Sequence, residues 1–261
     1  MAETIPFRAD VGRSAATVRT ITIDDLKEAL RRGLGDLDAR STRMFVYLIY
    51  PVLGVLLIWM AMRRDVIPLI FPLVSGFALV GPFFAVGLYQ ISRCRERGEE
   101  ISVRSAFNIF RCPDKGALLS MGLILAALFF AWLVVALILY ELTLGAEAPH
   151  TVGAFVIALF GTSAGWTLIV VGNVAGLGFA LVALAISAIS LPMILDRHVG
   201  AGTAILTSVD AIVKNPVPMA VWGLIVGVSL FVGALPALVG LAVVFPILGH
   251  ATWHLYRRVV G

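Results

Sequence analysis

The chain has 261 residues, of which 60% are hydrophobic and only 14% charged; soluble domains run near roughly 45–50% and about 25% on a similar tally. That balance excludes an ordinary water-soluble globule. The net charge of +4 does not point to nucleic acid, because Lys, Arg, Asp and Glu all fall outside five long apolar blocks, and the class expected is a helical membrane protein.

In chain order, the polar start MAETIPFRAD carries Arg8 and Asp10 and predicts no signal peptide. Residues 1–43 read as a cytoplasmic tail holding one short amphipathic helix, TIDDLKEALRRG, from Thr22 to Gly33. Thr22 and Asp25 match a capping box, and Ile23, Leu26, Ala29 and Leu30 share a face. Arg31 and Arg32 sit in the last turn, and Gly33 is the expected stop. Such a helix is expected to rest on the membrane or on neighbouring loops, with a docking site for a partner as the alternative.

The charge-free blocks run over residues 44–62, 66–92, 116–140, 148–195 and 215–256. A hydrocarbon core about 30 Å thick needs about 20 helical residues, so the first three blocks are one span each. Eight Lys and Arg residues precede Met44 and six lie between Ser92 and Gly116, which places both regions in the cytoplasm, while the segment from Glu141 to Thr151, without Lys or Arg, is expected outside. Arg63 and Arg64 are the exception to this rule. Parity then makes the fourth block a single crossing over about 166–195. It is preceded by an outer-surface helix over about 152–160 and a break from Gly161 to Gly165. The fifth block is a hairpin, 216–233 and 236–254, turning near Gly233 to Pro236.

The expected fold is therefore all-α: a polytopic membrane bundle of six transmembrane helices over about 44–62, 66–91, 117–140, 166–195, 216–233 and 236–254, within a membrane domain of residues 44–256. Both termini are expected to be cytoplasmic, residues 257–261 forming a short tail. Two cytoplasmic elbow helices, about 102–111 and 200–214, are amphipathic and are expected to lie in the interface. At an offset of 103 residues, Leu88, Ile91, Ser105, Ile109, Arg111 and Pro113 fall on Leu191, Ile194, Ser208, Ile212, Lys214 and Pro216. This weak repeat of span, elbow and span would relate two halves by a pseudo-two-fold along the membrane normal.

Few residues could carry chemistry. Cys94 and Cys112 lie in one charged loop at no metal or redox spacing and fit a reducing face. No ionisable side chain falls inside an expected span; Asn173 is the most polar residue near mid-depth, followed by Ser75, Thr167, Ser187 and Ser190, all read first as interhelical hydrogen-bonding groups. His250 and His254 are one turn apart and could share a metal, but their place beside Trp253 and Tyr256 reads as a polar aromatic belt. No nucleophile, zinc or phosphate-loop motif is present, so no catalytic residue, metal ligand or cofactor is expected. Pro68, Pro72 and Pro82 predict a bent second span, and Gly161/Gly165, Gly172/Gly176 and Gly223/Gly227 allow close helix approach. The candidate cavity or packing site is Ser75, Gly76 and Pro82 with Asn173, read first as packing.

The runs DDLKEALRRGLGDLDAR, FPLVSGFALVGPFFAVGLYQISRCRERGE, WTLIVVGNVAGLGFA, SLPMILDR and PILGHATWHLYRR resemble a bacterial family of predicted integral membrane proteins. It is a domain of unknown function in which some members carry a cytochrome c oxidase label. The resemblance covers roughly residues 22–258 and implies a proteobacterial inner-membrane protein; it implies no activity and supplies no catalytic residues. The first span departs from the family's glycine-rich pattern, reading MFVYLIYPVLG. A haem-copper catalytic subunit needs about six histidines inside its bundle, and this chain has four in all. The expectation is a non-catalytic protein whose partners are membrane lipids and other membrane subunits or itself, the alternative being a carrier or channel for a lipid-like or neutral solute.

Overall fold

The computed structural model describes residues 17–37, 70–99, 115–145, 151–235 and 239–261. Ten α-helices make up almost all of these residues: α1 Ile23–Leu37, α2 Ile70–Phe84, α3 Val86–Glu96, α4 Lys115–Thr143, α5 Val152–Gly161, α6 Ser163–Ser187, α7 Ser190–Arg197, α8 Ala201–Lys214, α9 Pro216–Ala234 and α10 Leu241–Val259. The first expected span at 44–62, the elbow at 102–111 and Cys112 lie outside the described residues.

Helix α1 starts as its sequence predicts. The Asp25 carboxylate accepts from the Thr22 amide at 2.9 Å, and the Thr22 hydroxyl accepts from the Asp25 amide at 3.4 Å, so two of the orphan amides of the first turn are satisfied. It does not stop at Gly33, as expected, but continues to Leu37. Gly33 serves a contact instead: a Cβ there would lie 2.7 Å from the backbone nitrogen of Ala251. The helix packs along α10, with Asp25 paired to Arg258 at one end and Asp36 bonded to His254 at the other. Leu26 and Ala29 are buried beneath it.

Four apolar stretches are long enough to cross a membrane by length and composition: Phe71–Glu96, Lys115–Thr143, Ser163–Arg197 and Pro216–Ala234. Each contains one of the expected spans or most of it. The second expected span is built from α2 and α3, separated only by Ala85, within one turn of Pro82, whose ring interrupts the amide ladder. The Pro72 carbonyl accepts from the Trp132 indole at 2.9 Å. The fourth is α6 followed by α7, with a break at Ala188 and Ile189. The α5–α6 corner is capped by Thr162, whose hydroxyl accepts from the Gly165 amide at 3.0 Å; Gly165 belongs to α6 rather than to the break, and a Cβ there would collide with the carbonyls of Ala158 and Leu159. One glycine of each predicted pair makes a close contact, Gly165 with α5, Gly176 with Trp132 and Gly223 with Leu184, while Gly161, Gly172 and Gly227 face open space.

The centre of the bundle is where α3, α7 and α10 meet, with Tyr89, Leu191, Met193, Trp253 and Tyr256 fully buried. The last helix runs past the expected span to Val259, so Arg257 and Arg258 are helical rather than in a tail. Cys94 is buried in the last turn of α3, not in a loop. The offset of 103 residues also maps the break at Ala85 onto the break at Ala188, and Arg93 onto Asp196; these two side chains approach to 3.8 Å. Leu88 and Ile91 on α3 and their counterparts Leu191 and Ile194 on α7 are all buried in one core.

Candidate functional site

The residues singled out along the spans do not converge. The Ser75 hydroxyl donates back to the carbonyls of Phe71 at 2.8 Å and Pro72 at 3.3 Å. Asn173 lies on an exposed part of α6 and its amide donates to Ile169 at 2.7 Å. Thr167, Ser187 and Ser190 do the same, each bonding the carbonyl four residues earlier. Gly76 is filled in by a neighbour, since a Cβ would lie 2.7 Å from the Phe129 ring and 2.8 Å from that of Trp132. Pro82 is half-buried in α2.

The polar groups that do converge lie at one end of the bundle, on α1, α3 and α10. Asp36 is the hub. Its Oδ2 accepts from the Ser92 hydroxyl at 2.6 Å and meets Nε2 of His254 at 2.9 Å, while Oδ1 lies 3.2 Å from the Arg95 guanidinium. Ser92 Oγ is also 2.7 Å from Nδ1 of His250, and Arg95 donates to the carbonyl of Gly35 at 2.8 Å. Ser92 is 1% exposed, His250 0% and Asp36 6%. Helical spacing explains the set: His250 and His254 share a face of α10 one turn apart, Ser92 and Arg95 share a face of α3, and Asp36 closes the last turn of α1. Burial alone pushes the Asp36 carboxyl up, but the hydrogen bonds from His254 and Ser92, with the two histidine charges, outweigh it and hold the group below its ordinary value. The histidines are thus buried partners of a carboxylate, with Trp253 and Tyr256 beside them equally buried; the expected belt is not what the sequence pattern encoded.

A second network borders the first. Asp196, at the end of α7, accepts from Tyr256 Oη at 2.9 Å and from Arg257 at 3.2 Å, with Arg97 at 3.4 Å. Glu96 accepts from the Trp253 indole at 3.1 Å and from Arg257 at 3.2 Å. Beyond both, the segment before α1 is strapped across the chain's end. The Arg19 amide donates to Val259 at 2.7 Å, Val18 pairs with Val260 in an antiparallel bridge, and the Asn215 side chain accepts from the Ile21 amide at 2.8 Å and donates to Arg19 at 3.0 Å.

In a nucleophile relay the carboxylate holds the far nitrogen of the histidine that activates the serine; here it accepts the hydrogen bond of the serine hydroxyl itself, in a place closed to solvent. Among the described residues no group of three or more His, Cys, Asp and Glu side chains is disposed to hold a metal ion. Sequence reading missed Asp36, Ser92, Arg95, Glu96 and Asp196. The available signal was the pair His250 and His254 at helical spacing, with acidic residues on two other segments to satisfy them.

Several long apolar helices with outward hydrophobic faces, closed at one end by ionic networks, define a helical integral membrane protein. Residues 70–196 match the model of a family described as "Predicted integral membrane protein (DUF2189)". The match covers Ser92, Arg95, Glu96 and Asp196 but not their partners Asp36, His250, His254 and Arg257. No curated protein and no solved structure matches the chain.

Proposed function

We propose that the chain is a non-catalytic, multi-pass protein of the bacterial inner membrane that acts through its surfaces, as an accessory or interaction protein among membrane lipids and other membrane subunits. The observation that carries this reading is the placement of the polar groups in the apolar helices. Ser75, Thr167, Asn173 and Ser187 each spend their hydrogen bond on their own helix, which leaves little with which to bind a polar solute. Outward faces, by contrast, are large and apolar, with Val174 and Leu177 on α6 and Leu224 and Phe231 on α9 at least 60% exposed. Helix α8 fits an interfacial position: Leu206, Val209 and Val213 point outward while Thr207 and Ser208 are buried.

The topology that goes with this reading is six spans with both ends in the cytoplasm. The bridge between Val18 and Val260 supports an even number of crossings between them, and the basic residues Arg93, Arg95, Arg97, Arg257 and Arg258 gather at that same end, as cytoplasmic faces do. A second reading, a carrier for a lipid-like or neutral solute, draws on the paired breaks at Ala85 and Ala188 and on the contact of α3 with α7 across them, since some carriers are built from two such halves. Affinity isolation of the full chain in mild detergent separates the two. Stoichiometric co-purification of another membrane subunit, a respiratory one first among those to probe, is the result expected; a homo-oligomer carrying bound lipid and no partner would favour the carrier.

A further inference from the structure

Helix α1 is fastened to the bundle at its two ends by interactions of different kinds. At the start, the strap of residues 17–22 is held by main-chain pairing with Val259 and Val260, by the Asn215 amide and by Lys214, whose Nζ donates to the Val18 carbonyl at 2.6 Å. The first turn adds an ion pair, Arg258 with Asp25 at 3.2 Å. At the far end the fastenings are the carboxylate of Asp36, which meets Ser92, His254 and Arg95, and the Gly35 carbonyl, which accepts from Arg95 at 2.8 Å. Between them Leu26, Ala29 and the partly buried Leu30 pack on the core and Gly33 lies against Ala251, while Leu34, nearer Asp36, is exposed. The charged residues on the outer face, Asp24 with Lys27 and Glu28 with Arg31 and Arg32, pair within α1 itself and add nothing to the docking.

We propose that Asp36 is the bolt of a charge-dependent latch: while ionised it holds the C-terminal half of α1 against α3 and α10, and when neutralised it frees that half to swing about the strap. Among the described residues the groups that face the carboxylate are Ser92 and Arg95 from α3 and His250 and His254 from α10. Every charged or protonatable one of them is a base. Loss of the negative charge therefore takes the carboxylate away from the half-exposed Arg95 guanidinium and from two imidazoles on its inner side, of which His250 is fully buried, where a hydrogen bond to a charged group is worth most. The sign follows. A carboxyl held below its unfolded value stabilises docking above that value, and the contribution is lost as pH falls through the folded one. Opening would uncover Ser92 and His250 on the ends of two bundle helices. The latch does not depend on what the outer apolar faces bind.

Hydrogen exchange of the full chain in lipid nanodiscs, corrected for intrinsic rates, tests the latch. At neutral pH the variant Asp36→Asn should raise exchange over residues 30–37 by about tenfold or more, while α6 and α9 keep their protection and residues 17–22 stay bound to the chain's end. Acidification should reproduce this rise in the parent protein, and the variant should show no further change over residues 30–37 relative to the first turn of α1, where Asp25 also titrates. If Asp36→Asn does not accumulate, Ser92→Ala and His254→Gln each remove a partner of the same oxygen and should loosen the same residues. Unchanged exchange in α1 would overturn the proposal. So would a rise shared equally with α6 and α9, which would make Asp36 a global stability residue, or release of the strap together with α1.

Discussion

At the scale of single residues, the polar side chains divide into two groups that the sequence alone did not distinguish. Ser75, Thr167, Asn173 and Ser187 inside the apolar helices bond their own backbone; Asp36, Ser92, Glu96 and Asp196 at the ends bond across helices. The difference yields opposite expectations for mutation. Ser75→Ala removes a hydroxyl that bonds carbonyls of its own helix, so thermal stability in detergent should change by less than about 0.5 kcal/mol. Gly76→Leu must push a side chain into the rings of Phe129 and Trp132 and should cost about 1–3 kcal/mol, read as a lower melting temperature. A Ser75→Ala variant that lost solute binding or flux at unchanged stability would favour the carrier over the surface-acting protein. Tyr256→Phe removes a hydroxyl donating to the Asp196 carboxylate in a buried place. A hydrogen bond to a charged acceptor is worth about 1.5–3 kcal/mol, and a melt of the same order as Ser75→Ala would mean that water replaces it.

At the scale of elements, α1 and α10 show what pattern reading can and cannot deliver. Two glycines two residues apart in α1 predict opposite responses. Gly33→Ala forces a methyl group against the backbone of Ala251 and should loosen the helix from α10, whereas Gly35→Ala meets nothing within 4 Å and should be neutral or stabilising by up to about 1 kcal/mol through helix propensity. Thermal melts of the two variants side by side decide this; equal losses would mean that the close approach is not real. The glycine at Gly33 looked like a helix stop because local grammar places glycine there, and only the packing partner, more than two hundred positions away, makes it an interior residue. The cap at Thr22, by contrast, involves residues three apart and was legible. The same contrast holds for the spans: α4 and α9 follow from apolar length, whereas the meeting of Asp36, Ser92 and His250 joins three distant segments, and no local period records it. His250 and His254 gave the face but not what it faced. Fitting both into a belt of aromatic residues was reasonable for Trp253 and Tyr256 at a helix end, and it failed because that helix end is covered by α1 and α3.

At the scale of the whole molecule, the buried ionic end and the bare apolar flanks divide the protein into a closed base and an open wall. The base holds its histidines by hydrogen bonds to a carboxylate and a hydroxyl. His250→Gln with His254→Gln should accordingly lower stability without changing the metal or haem content of the purified protein, and a stoichiometric metal lost in that variant would instead give the oxidase label of the resembling family a chemical basis. The base also governs how topology must be tested. Because Val18 pairs with Val260, reporters at the two ends must agree with each other whatever the number of crossings, so agreement alone says nothing of orientation. Orientation rests on the charges: the arginines of α3 and α10 lie at the base, and the segment from Glu141 to Thr151 has no Lys or Arg. A reporter active only in the cytoplasm, fused after Gly261, should therefore be active, and one active only outside, inserted between Gly145 and His150, should be active as well. Opposite signals from fusions at the two ends would contradict the strap itself. Agreement of both ends on the outer side would leave the strap intact and reverse the orientation, which would place the Asp36 latch on the face away from the cytoplasm.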